Sequence, residues 1–138
     1  AMGISQLKKI NFLVKRKREI GNLYYSLLKN NKFIFIQKPS IEYAKNIYWI
    51  FGVLINSNSK LSRDIVVKKL LKKNIQTRSF FYPMHKQKIF KKLNIFKKNF
   101  SYPNAEFLAK NGFYLPSGLA ITNKEIIYIS KILNSILI

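Results

Sequence analysis

The chain has 138 residues and a mass of 16.3 kDa, with 26 Lys plus Arg against 5 Asp plus Glu, a formal charge of +21, no cysteine and 48% hydrophobic residues. A chain of this size makes one domain and buries roughly 68–70% of the surface that it exposes unfolded. The missing cysteines exclude a disulfide framework, a thiolate zinc site and a thiol nucleophile, and the single histidine, His85, excludes a multi-histidine metal cluster.

The apolar residues from Ile4 to Leu28 recur at spacings of three and four and predict one long amphipathic helix, which contains the basic run Lys15-Arg16-Lys17-Arg18. It ends at Asn30-Asn31, and Phe33 to Ile36 follows as a short apolar segment. Ile47 to Ile55 is β-branched and aromatic without polar alternation, the pattern of a strand buried on both faces, and Trp49 within it is expected in the core. Ser62 caps a second helix with Asp64 in its first turn and Ile65, Val66, Leu70 and Leu71 turned inward; Asn74 ends it. Gln76 to Tyr82 reads as a strand stopped by Pro83, which leaves Met84, His85 and Lys86 at a strand end. Lys88 to Lys98 is short, basic and ambiguous. Pro103 opens a third helix, ended by Asn111-Gly112, and Phe113 to Leu115 is a short strand before Pro116. Thr122 and Glu125 form a capping box for a last helix with Ile126, Ile129, Ile132, Leu133 and Ile136 inside. The expected fold is a small α/β sandwich.

A charge of +21 is the usual footprint of a polyanion binder, but the basic residues are 22 Lys and only 4 Arg. Lys, Ile and Asn together fill 56 positions, the bias that AT-rich coding leaves at tolerant surface sites. The paired lysines Lys68-Lys69, Lys72-Lys73, Lys91-Lys92 and Lys97-Lys98 read as solvated faces. The longest apolar run has nine residues where a membrane helix needs about 20, and Lys8, Lys9 and Lys15 interrupt any signal-peptide core. The expectation is a soluble cytoplasmic chain with no export signal, no membrane partner and no specific nucleic acid. The opening residues already lie inside the helical pattern, without a cap, so the natural chain is expected to begin earlier. No glycine-rich phosphate loop, HExxH motif or carboxylate pair occurs, and Ser117 has no evident general base.

Four blocks carry a resemblance: Met2 to Ile20, Tyr48 to Ile55, Ser62 to Phe90 and Pro103 to Thr122. The most specific stretches are TRSFFYPMHKQ at Thr77 to Gln87 and YLPSGL at Tyr114 to Leu119. Together they resemble the C-terminal region of the DegT/DnrJ/EryC1/StrS sugar aminotransferases, and within that family the nucleotide-sugar 4-aminotransferases of the perosamine-synthase type. The resemblance implies a small C-terminal domain of a fold-type I transferase, an α/β unit with a short, mainly antiparallel sheet packed with helices, spanning residues 1–138 as a single domain. It implies an enzyme that uses pyridoxal 5'-phosphate to move an amino group from glutamate to a 4-keto-6-deoxy nucleotide sugar, for surface polysaccharide such as O-antigen. The large domain, with the Schiff-base lysine, the cofactor pocket and the homodimer contact, would then lie outside this sequence. On that basis no lysine here is catalytic, the chain binds no cofactor covalently, and alone it is inactive.

The same resemblance puts His85 on the active-site side as a donor to sugar hydroxyl or phosphate, against the competing reading of a loop histidine that caps backbone. Arg78 is matched to a substrate phosphate or a large-domain carboxylate, against an ordinary strand-edge ion pair. Phe80, Phe81 and Tyr82 are matched to the wall of a sugar or base pocket, with at least one of the three turned inward by strand alternation. Tyr82 and Lys86 complete the expected substrate contacts. The family commonly has proline after the glutamine of this motif, where Lys88 stands here. The alternative function, from another class, is a stand-alone basic module that binds RNA or another polyanion.

Overall fold

A computed structural model describes residues 2–96 and 101–138. Its centre is a four-stranded antiparallel sheet in the order β1-β4-β6-β5, made of β1 (Ile34–Ile36), β4 (Phe51–Ile55), β5 (Arg78–Ser79) and β6 (Gly112–Leu115). A separate two-stranded hairpin joins β2 (Ser40–Ile41) to β3 (Ala44–Lys45), an element that the polar sequence around Tyr43 does not announce. The helices are α1 (Met2–Leu7), α2 (Ile10–Leu28), α3 (Arg63–Leu71), the short α4 (Lys88–Lys92), α5 (Pro103–Asn111) and α6 (Asn123–Ile136). The expected mainly antiparallel sheet with packed helices is the fold observed.

Alternation along the strands explains where the core lies. Phe51, Val53 and Ile55 of β4 are buried on one face with Phe113 and Leu115 of β6, opposite Ile20, Tyr24 and Leu28 of α2 and Ile126, Ile129 and Leu133 of α6. The two long helices are tied at one end through the side-chain amide of Asn134. Asn31 donates to Asn134 Oδ1 at 2.8 Å, while Asn134 donates to the Leu27 carbonyl at 3.2 Å. The capping box of α6 is present as expected, with the Glu125 amide donating to Thr122 Oγ1 and the Thr122 amide to the Glu125 carboxylate.

Several expectations need correction. The first helix is two, α1 and α2, separated at Lys8-Lys9. The strand expected from Ile47 begins only at Phe51. Its partner β6 ends at Leu115, and Pro116 beyond it has no N–H to extend the ladder. Upstream, Tyr48 adopts a left-handed backbone, φ 50°, and turns its ring inward, so Tyr48 is 2% exposed while Trp49 is 65% exposed, the reverse of the expectation. Tyr48 lies over Gly21 of α2, whose missing side chain makes the seat, and its hydroxyl donates to the Gln37 carbonyl at 3.2 Å. Burial pushes this phenol up to about 12. In α3, Val66 and Leu70 are buried but Ile65 and Leu71 are exposed. Asn74 closes that helix in a left-handed conformation, φ 59°, with the Ile75 amide returning to the Leu70 carbonyl.

Candidate functional site

The motif segment crosses the sheet edge and leaves it quickly. Only Arg78 and Ser79 pair with β6, opposite Tyr114 and Phe113, so the strand expected over Gln76 to Tyr82 is two residues long. Pro83 lacks a donor for any further ladder, and Met84–Lys86 form a single 3-10 turn. None of the three aromatics enters the main core, contrary to expectation; Phe80 is the half-buried one, on the sheet face away from that core. Its ring stacks on Tyr114 at 4.5 Å and lies across Gly52 and Gly112; a Cβ at Gly112 would stand 2.5 Å from the ring and one at Gly52 3.0 Å. Two glycines on adjacent strands therefore form the flat bed that holds Phe80. Phe81 and Tyr82 stand outward, 73% and 63% exposed.

The four expected substrate residues divide into separate settings. Arg78 lines a groove of about 720 Å³ beside Gln76, Thr77, Tyr114 and Ser117, with Val67 and Leu71 as its apolar side. Its guanidinium has no hydrogen-bond or ion-pair partner among the described residues. Tyr82 likewise has no hydrogen bond or ring contact among the described residues. His85 and Lys86, in contrast, meet on one carboxylate, that of Glu106 in α5. His85 Nε2 lies 3.1 Å from Oε1, and Lys86 Nζ donates to Oε2 at 2.7 Å. The hydrogen bonds from Lys86 and then His85 hold the Glu106 carboxyl below the usual carboxylate range. Phe96 and Tyr102 enclose the imidazole, with ring centroids 6.3 and 4.7 Å away. Lys88, at the position where the family has proline, is the first residue of α4, a place that proline also suits.

Glu106 is the residue that sequence reasoning missed. The one available sign in the sequence is its place in the first turn of the Pro103 helix. Three residues of the basic run of α2 also prove structural. Arg16 donates to the carbonyls of Leu119 and Ile121, Lys17 to those of Trp49 and Ser117 at 2.7 Å each, and Arg18 to that of Asn46 at 3.2 Å. These side chains fasten the loop before β4 and the loop after β6 to α2, so they are not an open polyanion surface. The Lys97-Lys98 pair lies outside the described residues.

Pyridoxal phosphate needs a lysine with access to a pocket and a depressed pKa, plus a cradle of backbone amides for its phosphate. Lys17 is the lysine whose pKa burial lowers, and its ammonium is committed to two carbonyls. The residues described therefore do not fit the cofactor. No group of His, Cys, Asp and Glu among them could hold a metal ion, and no helix among them is long and apolar enough to cross a membrane.

The arrangement of sheet and helices recurs as one part of longer solved proteins. It superposes on Helicobacter pylori PseC, an aminotransferase involved in the biosynthesis of pseudoaminic acid, with a TM-score of 0.84 at 18% identity, covering 98% of this chain and 35% of that one. A putative sugar aminotransferase of Streptococcus pneumoniae, solved in its PLP-form, gives 0.82 at 20% identity over 97% of this chain and 33% of that one. The family model of the DegT/DnrJ/EryC1/StrS aminotransferases matches residues 1–134, and the chain belongs to that family. GDP-perosamine synthase of Escherichia coli O157:H7 is 30% identical over 134 residues, 97% of this chain and 34% of that protein. An Escherichia coli dTDP-4-amino-4,6-dideoxy-D-glucose transaminase is 37% identical over 84 residues, 61% of this chain and 22% of that protein. The chain thus spans about a third of the length of these relatives.

Proposed function

We propose that residues 1–138 are the small C-terminal domain of a pyridoxal-phosphate-dependent sugar aminotransferase. Its reaction moves an amino group from glutamate to a 4-keto-6-deoxy nucleotide sugar of the perosamine type, in the cytoplasm, for surface polysaccharide. The observation that carries this reading is the match along residues 1–134, joined to relatives that act on GDP- and dTDP-linked sugars by name. The cofactor, when bound by the rest of the enzyme, supplies the electron sink. The large domain and its lysine complete the homodimeric enzyme, and this chain alone is inactive.

This chain's contribution is to bind and orient. Arg78, whose charge is unpaired among the described residues, offers a planar fork to a sugar-nucleotide phosphate. Tyr82 offers an exposed ring against the sugar or base, because the apolar face of a ring covers such surfaces well. His85 and Lys86 border the same segment and are already held by Glu106.

The test is to read the coding DNA in frame upstream of the Ala1 codon and express the whole product. Expected is a frame of enzyme length containing the cofactor lysine, whose product transfers the amino group of glutamate to GDP-4-keto-6-deoxymannose. A full product that carries its lysine and cofactor yet aminates no 4-keto nucleotide sugar overturns the reading. So does a free-standing chain that binds RNA with a steep salt dependence.

A further inference from the structure

The contact between the 3-10 turn and α5 does more than join two elements. Glu106 has one oxygen for each partner, His85 at 3.1 Å and Lys86 at 2.7 Å, and those bonds keep it ionised at neutral pH. An ionised carboxylate only accepts hydrogen bonds. The imidazole nitrogen facing it must therefore carry a proton, and in the neutral ring that places the hydrogen on Nε2 and the lone pair on Nδ1. The ring is held in that position, its side chain 11% exposed, between Phe96 and Tyr102.

We propose that Glu106 is a positioning residue: it locks His85 as the Nε2–H tautomer and anchors Lys86, so that the turn offers His85 Nδ1 to a ligand as an acceptor. The complementary ligand group is a hydrogen-bond donor, such as a sugar hydroxyl. The identity of that ligand rests on the aminotransferase reading; the tautomer and its cause do not. Lys86, with its ammonium on Oε2, keeps the carboxylate from turning away from the ring.

His85 is the only histidine, so its ring signals need no assignment. The experiment records long-range proton–nitrogen correlations of the 15N-labelled chain at about pH 8, where an imidazole is ordinarily neutral. Expected is a protected Nε2–H resonance with Nδ1 unprotonated. In Glu106→Ala that resonance is lost to solvent exchange while the backbone amide spectrum away from α5 stays unchanged. Glu106→Gln keeps an acceptor oxygen and retains the resonance, moved toward the free-imidazole position; it decides the matter if the alanine variant does not fold. A wild-type ring protonated on Nδ1, or ring signals that neither variant moves, overturns the proposal. Neither result bears on whether the whole enzyme aminates a sugar, so the two readings fail separately.

Discussion

Gly21 lies in the interior of α2, where a helix-propensity argument favours alanine over glycine by about 1 kcal/mol. The structure reverses the sign. A Cβ at Gly21 would stand 2.1 Å from both Cγ and Cδ2 of Tyr48, and the ring cannot retreat easily, since its far side stacks on Phe51 at 5.7 Å. Either the core strains, at about 1–3 kcal/mol or more, or Tyr48 leaves its site, and losing a large buried aromatic costs about 3–5 kcal/mol. With the propensity gain of about 1 kcal/mol subtracted, the strained core leaves about 0–2 kcal/mol or more and the displaced ring about 2–4 kcal/mol, so Gly21→Ala is destabilised by up to about 4 kcal/mol. Gly3 is the matched control: it is also helical, and a Cβ there would meet nothing within 4 Å, so Gly3→Ala is neutral or mildly stabilising. Urea midpoints read through the single tryptophan, Trp49, measure both. A Gly21→Ala chain as stable as wild type, or more so, would refute the packing argument.

Thr122→Ala removes a capping box and lowers stability by about 1 kcal/mol, read as a lower urea midpoint at an unchanged slope. Lowering the pH should destabilise the fold from about 4.5 downward. Glu125 is held low by the backbone and side-chain bonds to Thr122, and Glu106 by Lys86 and then His85. A depressed folded-state pKa contributes stability above the unfolded value and loses it as pH falls through the folded one; a thermal midpoint unchanged from pH 6 to about 3 contradicts this. Arg78→Ala in the whole enzyme should raise the KM for nucleotide sugar by about tenfold or more, the value of one hydrogen-bonded charge, with Arg78→Lys only partly restoring it. An unchanged KM removes Arg78 from the substrate site.

The sequence was most informative where local chemistry and burial agree. The capping box at Thr122, Pro103 at a first helical turn, Asn74 at the end of its helix and the buried face of α6 are all observed. It failed where one residue's long-range seat overrides its neighbours. Nothing near Tyr48 and Trp49 marks which ring turns inward; Gly21, distant in sequence, makes that choice. Likewise, the strand-end position of His85 was legible, but its partner lies 21 residues away on α5, and no periodicity links a carboxylate to a turn. That Phe81 and Tyr82 both stand outward does not follow from alternation, which would turn Tyr82 to the side of Phe80; the strand ends at Ser79, so the period of two no longer applies.

The basic run of α2 puts the meaning of the +21 charge to a direct test. Lys15 is exposed, with no hydrogen-bond partner among the described residues, whereas Lys17 bridges the carbonyls of Trp49 and Ser117 and its burial lowers its pKa. Water can replace the exposed bond to Trp49. The part-buried carbonyl of Ser117 is harder to rehydrate, so Lys17→Met should cost about 1–3 kcal/mol, against less than about 0.5 kcal/mol for Lys15→Met. The two substitutions remove the same charge. If charge on this run served a polyanion, both would weaken retention on RNA alike and leave stability alone. If it serves the fold, as the geometry requires, only Lys17→Met lowers the urea midpoint, and equal midpoints for the two variants would break the argument.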